Sequence, residues 1–115
     1  MFSKKNIKDI PIEGTPHSSG SRKLLLSRED TTSKYFEAYT YGYLPQGVKW
    51  EIHDHNNLIE VCTVTKGSGV VRDGDGNEDI FGPGDRFVFP SGTKHEIENT
   101  GEEEAEFYFF RLQDQ

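Results

Sequence analysis

Two histidines and a glutamate lie close together in the stretch HDHNNLIE, residues 53–60. Side chains alternate between the two faces of a β-strand, so His53 and His55 are expected to point the same way. The pair Asn56-Asn57 predicts a turn, after which the returning strand carries Glu60 back beside both imidazoles. Two neutral imidazole nitrogens and one carboxylate on rigid strands suit a divalent transition metal ion.

A third histidine extends this cluster. His95 follows a turn at residues 90–93 and opens a predicted strand. Three nitrogens and one carboxylate oxygen would leave one or two positions open on a five- or six-coordinate ion, and open positions distinguish catalytic metal sites from structural ones. The fourth histidine, His17, lies in the polar segment GTPHSSGSR and is predicted to be a solvated loop residue.

Short strands must hold these residues in place, and the sequence predicts them along most of its length. The chain has 115 residues, enough for one domain, and its 12 glycines and 5 prolines separate short apolar runs. Strands are predicted at residues 23–27, 36–44, 50–55, 58–65, 70–72, 78–81, 86–90, 94–99 and 105–112. Residues 7–12, interrupted by Pro11, could form one more edge strand. This pattern predicts an all-β sandwich, barrel or jelly roll.

The same residues match two sequence motifs of the cupin family. The first motif is a glycine, His-x-His, a glutamate and a glycine at fixed spacing, and its counterparts here are Gly47, His53, His55, Glu60 and Gly67. The second motif is a glycine, Pro-x-Gly, a histidine and an asparagine, and its counterparts here are Gly84, Pro90, Gly92, His95 and Asn99. The chain therefore resembles a small single-domain cupin, of the type 2, RmlC-like jelly-roll family, over roughly residues 40–112.

The resemblance implies a fold and a set of metal ligands. The fold would be an antiparallel double-stranded β-helix, that is, a jelly-roll β-barrel, formed by residues 23–115. Residues 1–22 would be an N-terminal arm or edge strand that a dimer could exchange. The metal would be held by His53, His55, Glu60 and His95, whereas Asn99 would be structural.

The resemblance also implies a metalloenzyme that acts on a small oxygen-rich substrate. Iron, manganese, nickel, zinc or copper would each suit the four ligands. Many cupins with three histidines and one glutamate are dioxygenases, which favours oxidoreductase chemistry. Isomerase, lyase and cyclase chemistry stay open, with Glu60 as the candidate catalytic residue. The alternative is a non-enzymatic module that binds a metal and a small ligand and acts as a sensor.

Four residues are candidates for the pocket wall: Cys62, Phe89, Phe107 and Phe109. Cys62 has the same strand parity as Glu60, although a small buried hydrophobic residue is the favoured interpretation of a lone cysteine.

Aromatic residues lie on strands of which one face is predicted to be core, and the other face would meet a partner subunit or line the pocket mouth. Tyr39, Tyr41 and Tyr43 share one face of their strand, and Trp50 and Ile52 are expected on the face opposite the metal ligands. Apolar area of this extent favours a homodimer in which it is buried.

Composition and charge disfavour other partners. The net charge is −7, and an acidic surface repels phosphate backbones, so no nucleic-acid partner is predicted. The N-terminus lacks the apolar core of a secretory signal, and no apolar run approaches membrane-spanning length, so a cytoplasmic protein with no membrane partner is predicted. The segment DGDGNEDIFGPG begins like a calcium loop but lacks its later glycine and glutamate, so it is predicted to be a hairpin turn.

Overall fold

A computed structural model describes residues 2–17, 19–53 and 56–114, with the backbone alone for residues 52 and 53. Over these ranges the chain forms ten strands: β1 (Glu13–Gly14), β2 (Ser21–Leu26), β3 (Phe36–Leu44), β4 (Lys49–His53), β5 (Leu58–Lys66), β6 (Gly69–Asp73), β7 (Glu78–Phe81), β8 (Arg86–Phe89), β9 (His95–Glu98) and β10 (Ala105–Gln113). Two 3₁₀ turns, Ile7–Asp9 and Arg28–Asp30, are the helical segments of these ranges, and no helix among them could span a membrane. The predicted all-β class is confirmed.

The strands form two antiparallel sheets. The larger sheet has six strands in the order β1-β2-β3-β10-β5-β8, and the smaller has four in the order β4-β9-β6-β7. Within the described ranges no strand pairing joins the two sheets, so the predicted closed barrel is corrected to two separate sheets. Two packed antiparallel sheets are also an arrangement of a jelly roll.

Side chains from both sheets share one hydrophobic core. The ring of Phe107 on β10 lies 5.6 Å from Trp50 on β4 and 5.4 Å from Phe81 on β7, measured between ring centroids. Alternate residues of β3 and β10 face this core, as strand geometry requires. Burying one such ring contributes roughly 1.5–3 kcal/mol, so the inter-sheet aromatic contacts are a main source of stability.

An irregularity in β4 overturns the expected position of Trp50. Trp50 pairs with Ile97 of β9, whereas His53 pairs with His95, so three steps on β4 match two on β9. This is the count of a β-bulge, which breaks the alternation of faces along a strand. Trp50 is consequently only 5% exposed and belongs to the core, not to an outer face.

The tyrosines of β3 cover one another on the outer face of the larger sheet. The Tyr39 and Tyr108 rings stack with centroids 5.8 Å apart, and Tyr41 packs edge-on against Tyr108 at 4.8 Å. These rings are partly buried within a single chain. The homodimer predicted from them stays a prediction.

The N-terminal segment differs from its predicted form. Residues 7–9 form a 3₁₀ turn, because the Asn6 side chain caps it by accepting a hydrogen bond from the Lys8 amide at 2.9 Å. Pro11 follows, with no amide hydrogen to donate to a strand ladder. The edge strand is therefore β1, which begins directly after the predicted range, and β2 runs across the predicted boundary between residues 22 and 23.

The aspartate-rich segment after β6 is a hairpin turn, as predicted. The Asp73 carboxylate accepts hydrogen bonds from the Asp75 amide at 2.9 Å and from the Asn77 amide at 3.0 Å. The Asn77 side chain donates a further bond at 2.9 Å, and this bond, followed by the backbone bond from Asn77, lowers the pKa of Asp73. The carboxylate therefore serves the turn itself.

Candidate metal and ligand site

Two predicted metal ligands meet between the sheets. Glu60 lies on β5 of the larger sheet and His95 begins β9 of the smaller one, and their exposed fractions are 3% and 1%. The His95 Nε2 atom is 3.5 Å from the Glu60 Oε1 atom. The fold therefore brings together two residues that are 35 positions apart in the sequence.

Two contacts orient the His95 ring. Its Nδ1 atom lies 3.2 Å from the backbone oxygen of Thr93, and because a carbonyl oxygen only accepts, Nδ1 carries the proton. In the neutral imidazole this leaves the lone pair on Nε2, the atom that faces Glu60. The Phe89 ring stacks on the imidazole with centroids 3.9 Å apart and planes 7° from parallel. His95 is thus held in the tautomer and orientation of a metal ligand.

Arg111 holds the second oxygen of the Glu60 carboxylate. Arg111 on β10 is the direct cross-strand partner of Glu60 on β5, and its Nε atom donates to Glu60 Oε2 at 2.9 Å. The Glu60 side chain is 4% exposed and that of Arg111 is 20% exposed, so the ion pair is largely shielded from water. One carboxylate oxygen is therefore fixed by Arg111 while the other is directed to His95.

These residues line a small cavity, of about 30 Å³, that opens to solvent. Its wall also includes Thr40, Gly42 and Phe109 from the inner face of the larger sheet and Trp50 and Ile97 from the smaller sheet. The N-terminal segment completes the wall with residues 15–17 and Arg22. The cavity is polar at the Glu60–His95 pair and aromatic beside it.

The four predicted pocket residues occupy different places. Phe109 lines the cavity. Cys62 and Phe107 have no exposed surface and belong to the core instead. Burial raises the pKa of the Cys62 thiol well above its ordinary value, with a smaller contribution from the Glu60 charge, so this thiol stays protonated. Phe89 supports His95 from one side of its ring.

The other two predicted ligands, His53 and His55, lie beside or within a gap in the described residues. His53 is the backbone partner of His95 in the β4–β9 ladder, which places these two positions side by side. The side chain of His53 and the whole of His55 lie outside the described residues. Among the residues that are described, no group of three metal-ligating side chains forms.

The described pair fits a metal ion by its own geometry. Nitrogen and oxygen ligands lie about 2.1 Å from such an ion, so two neighbouring ligand atoms on it are roughly 3.0–3.4 Å apart. The separation of 3.5 Å between His95 Nε2 and Glu60 Oε1 is close to this range. An imidazole nitrogen that faces a buried carboxylate, with an arginine behind that carboxylate, is the donor set and support expected of such a site.

Several residues of the cavity wall were not predicted from the sequence. His17, predicted to be solvated, is partly buried at the cavity, with its ring centroid 6.2 Å from that of Trp50. Arg111 shares the strand parity of Phe107 and Phe109, so alternation alone could have placed it on the inner face. No local signal could have placed His17 or Arg22, because their position depends on how the N-terminal segment crosses the sheet.

Comparisons with known proteins agree with this architecture. The family model described as "Cupin domain" matches residues 40–111. An oxalate-binding protein from Thermotoga maritima is 34% identical over 83 residues, which cover 72% of this chain and 67% of that protein. The crystal structure of a predicted oxalate decarboxylase from Thermotoga maritima superposes with a TM-score of 0.84 at 27% identity, covering 94% of this chain and 96% of that one.

A more distant structure shows the fold alone. The polyketide cyclase RemF from Streptomyces resistomycificus has a TM-score of 0.83 at 18% identity, covering 100% of this chain and 81% of that one. The family match spans well over half of the sequence and includes Glu60, His95 and Arg111. The chain belongs to the cupin family.

Proposed function

We propose that this cupin binds one divalent transition metal ion through His53, His55, Glu60 and His95. The observation that carries the proposal is the buried pair of Glu60 and His95, with 3.5 Å between Oε1 and Nε2. The backbone pairing of His53 with His95 supports the third ligand. The spacing of the two cupin motifs supports the fourth.

The residues of the chain prepare the site for ligand binding. Arg111 orients the Glu60 carboxylate, and the Thr93 carbonyl fixes the proton of His95 on Nδ1. The low exposure of Glu60 and His95 keeps bulk water away and strengthens electrostatic interactions there. A divalent ion in this position supplies a Lewis acid that polarises the oxygen atoms of a bound substrate.

The substrate we propose is a small oxygen-rich acid, with oxalate as the first candidate. One relative with 34% identity is named for oxalate binding, and a structural relative is a predicted oxalate decarboxylase. Arginine in the cavity wall favours an anionic substrate, because the guanidinium group binds carboxylates well.

The activity we propose is metal-dependent turnover of this acid. Resemblance to cupins with three histidines and one glutamate favours dioxygenase chemistry, with Glu60 as the residue that could move a proton. A non-enzymatic binding or sensing module is the second candidate, because the name of the Thermotoga maritima relative specifies binding alone.

Elemental analysis tests the metal site. Protein purified without a histidine tag and supplemented with each candidate metal should hold about one ion per chain, which His95→Ala and His55→Ala should lose. His17→Ala is the matched control, since His17 lines the same cavity without being a proposed ligand, and it should keep the ion. A wild type with no metal above background, or a His95→Ala variant with full metal content, would exclude the site.

Turnover assays on the metal-loaded protein separate the candidate functions. Oxygen uptake together with product formation would support a dioxygenase, and carbon dioxide release from oxalate without oxygen uptake would support a decarboxylase. Saturable binding of oxalate with neither product would establish the binding module instead.

A further inference from the structure

The inner face of the larger sheet presents a hydroxyl to the cavity. Thr40 on β3 lines the cavity and is 2% exposed as a whole residue. Within the described ranges no protein group hydrogen-bonds its side chain, although most polar side chains in protein interiors are paired with protein or water. The hydroxyl is therefore able to bond a molecule that enters the cavity.

Arg22 lies beside this hydroxyl. Arg22 on β2 pairs with Gly42 on β3, and Gly42 is two residues from Thr40 on the same strand face. The Arg22 side chain is 24% exposed and lines the cavity. Its Nε atom donates to Glu13 at 3.1 Å, while among the described residues its two terminal nitrogens have no partner. Those nitrogens form the part of the guanidinium group that binds a carboxylate through two parallel hydrogen bonds.

Gly42 lets two aromatic rings pack against the β3 backbone beside these groups. A Cβ atom at position 42 would lie 3.0 Å from ring atoms of both Phe109 and Trp50. A side chain there would therefore have to displace these two rings. Glycine at this position lets them form the apolar part of the cavity wall next to Arg22 and Thr40.

The charges of the cavity wall favour an anion. Its described charged side chains are Arg22, Arg111 and Glu60. Arg111 is occupied by Glu60. Among the described residues Arg22 uses its Nε atom for Glu13, so its terminal nitrogens are the cationic donors of the wall that remain for a ligand.

We infer that Arg22 and Thr40 form a carboxylate-recognition subsite, and that the substrate class is small dicarboxylates. One acid group would bind at the Glu60–His95 end, and the other would accept hydrogen bonds from the Arg22 terminal nitrogens and the Thr40 hydroxyl. This inference rests on the proposed function, because the first acid group requires the metal.

Calorimetric titration of the metal-loaded protein tests the subsite. Oxalate, malonate and succinate are compared with acetate, and the wild type should bind its best dicarboxylate at least roughly tenfold more tightly than acetate. Arg22→Met should weaken that dicarboxylate roughly 10- to 100-fold and Thr40→Val roughly 3- to 10-fold, with little change for acetate. Arg86→Met on exposed β8 and Thr63→Val on β5 are matched controls and should bind as the wild type does.

Two further readouts separate the subsite from a structural role and from the metal proposal. Thr40→Val should leave the free energy of unfolding unchanged or higher, since no protein hydrogen bond is lost, and Thr40→Ser should restore affinity. Both Arg22→Met and Thr40→Val should keep full metal content. If metal binds but the dicarboxylates bind no better than acetate, or the variants bind them normally, the subsite is refuted while the metal site stands. If the wild type holds no metal, the proposed function fails first.

Discussion

Replacing Arg111 by methionine should expose the energetic role of the Glu60 carboxylate. Methionine keeps most of the apolar stem of arginine but leaves Glu60 buried without its 2.9 Å ion pair. Removing one partner of a fully buried pair costs about 3–5 kcal/mol. Because the Arg111 side chain is 20% exposed, solvent screening reduces this, and we expect a loss of about 2–4 kcal/mol in the metal-free protein.

Urea unfolding of the metal-free variants measures this loss. For a chain of this length 1 kcal/mol corresponds to roughly 4 °C in Tm, so thermal unfolding should shift by about 8–16 °C. A double-mutant cycle with Glu60→Gln isolates the pair, and the coupling free energy should be at least about 1.5 kcal/mol. Metal loading should reduce the loss in Arg111→Met, because the ion supplies a second cation beside Glu60.

Each of these three expectations has a result that would contradict it. A loss below about 0.5 kcal/mol in Arg111→Met would place this contact with ordinary surface ion pairs. A coupling free energy near zero would mean that the variant acts through lost packing of the arginine stem. An equal loss with and without metal would argue against an ion next to Glu60.

Three further changes test the support around the site. Asn99 has no exposed surface, and its side chain makes three hydrogen bonds to backbone atoms, at 2.8, 2.8 and 3.0 Å. Asn99→Ala should therefore lower the free energy of unfolding, measured in urea, by about 3–5 kcal/mol. A loss under about 1 kcal/mol would contradict this expectation. Gly67→Ala should lower the free energy of unfolding by about 2–3 kcal/mol in the same assay, because Gly67 has φ +90° and a Cβ atom would lie 2.8 Å from Ala105. An unchanged midpoint of urea unfolding would show that the turn adapts. The pKa of Tyr41 is raised from 10.0 to about 12, first by burial and then by the neighbouring Glu106. The neutral phenol therefore stabilises the folded state below pH 10, and this contribution to stability is lost as the pH rises towards 12. Tyr41→Phe should therefore flatten the decline in stability above pH 10, and an unchanged decline would assign it to other groups.

Much of the fold could be predicted because strand periodicity is a local signal. The bounds of β3 and β7 agree with their predicted ranges, since turn residues lie directly beside alternating apolar ones. The bulge in β4 could not be predicted in this way, because it depends on how Trp50 and His95 pack against the partner strand and the opposite sheet. Parity counted from His53 therefore put Trp50 on the wrong face.

The residues of the candidate site that belong to a sequence motif could be predicted, whereas those placed by tertiary contacts could not. Glu60 and His95 follow cupin spacing, and the structure brings them together. His17 and Arg22 reach the cavity because Gly20, with φ +74°, lets the chain pass over Trp50, whose indole nitrogen donates to the Ser19 carbonyl at 3.1 Å. That contact spans 31 residues and has no signature in the sequence.

One row of the larger sheet holds Glu60 and supports the ring of His95. Arg111 and Phe89 are the two cross-strand neighbours of Glu60, on β10 and β8. Arg111 fixes the Glu60 carboxylate from one side, and Phe89 reaches across to stack on the His95 ring. Sheet register thus fixes the carboxylate through Arg111 and supports the imidazole through Phe89, while the Thr93 carbonyl of the preceding turn orients the His95 ring.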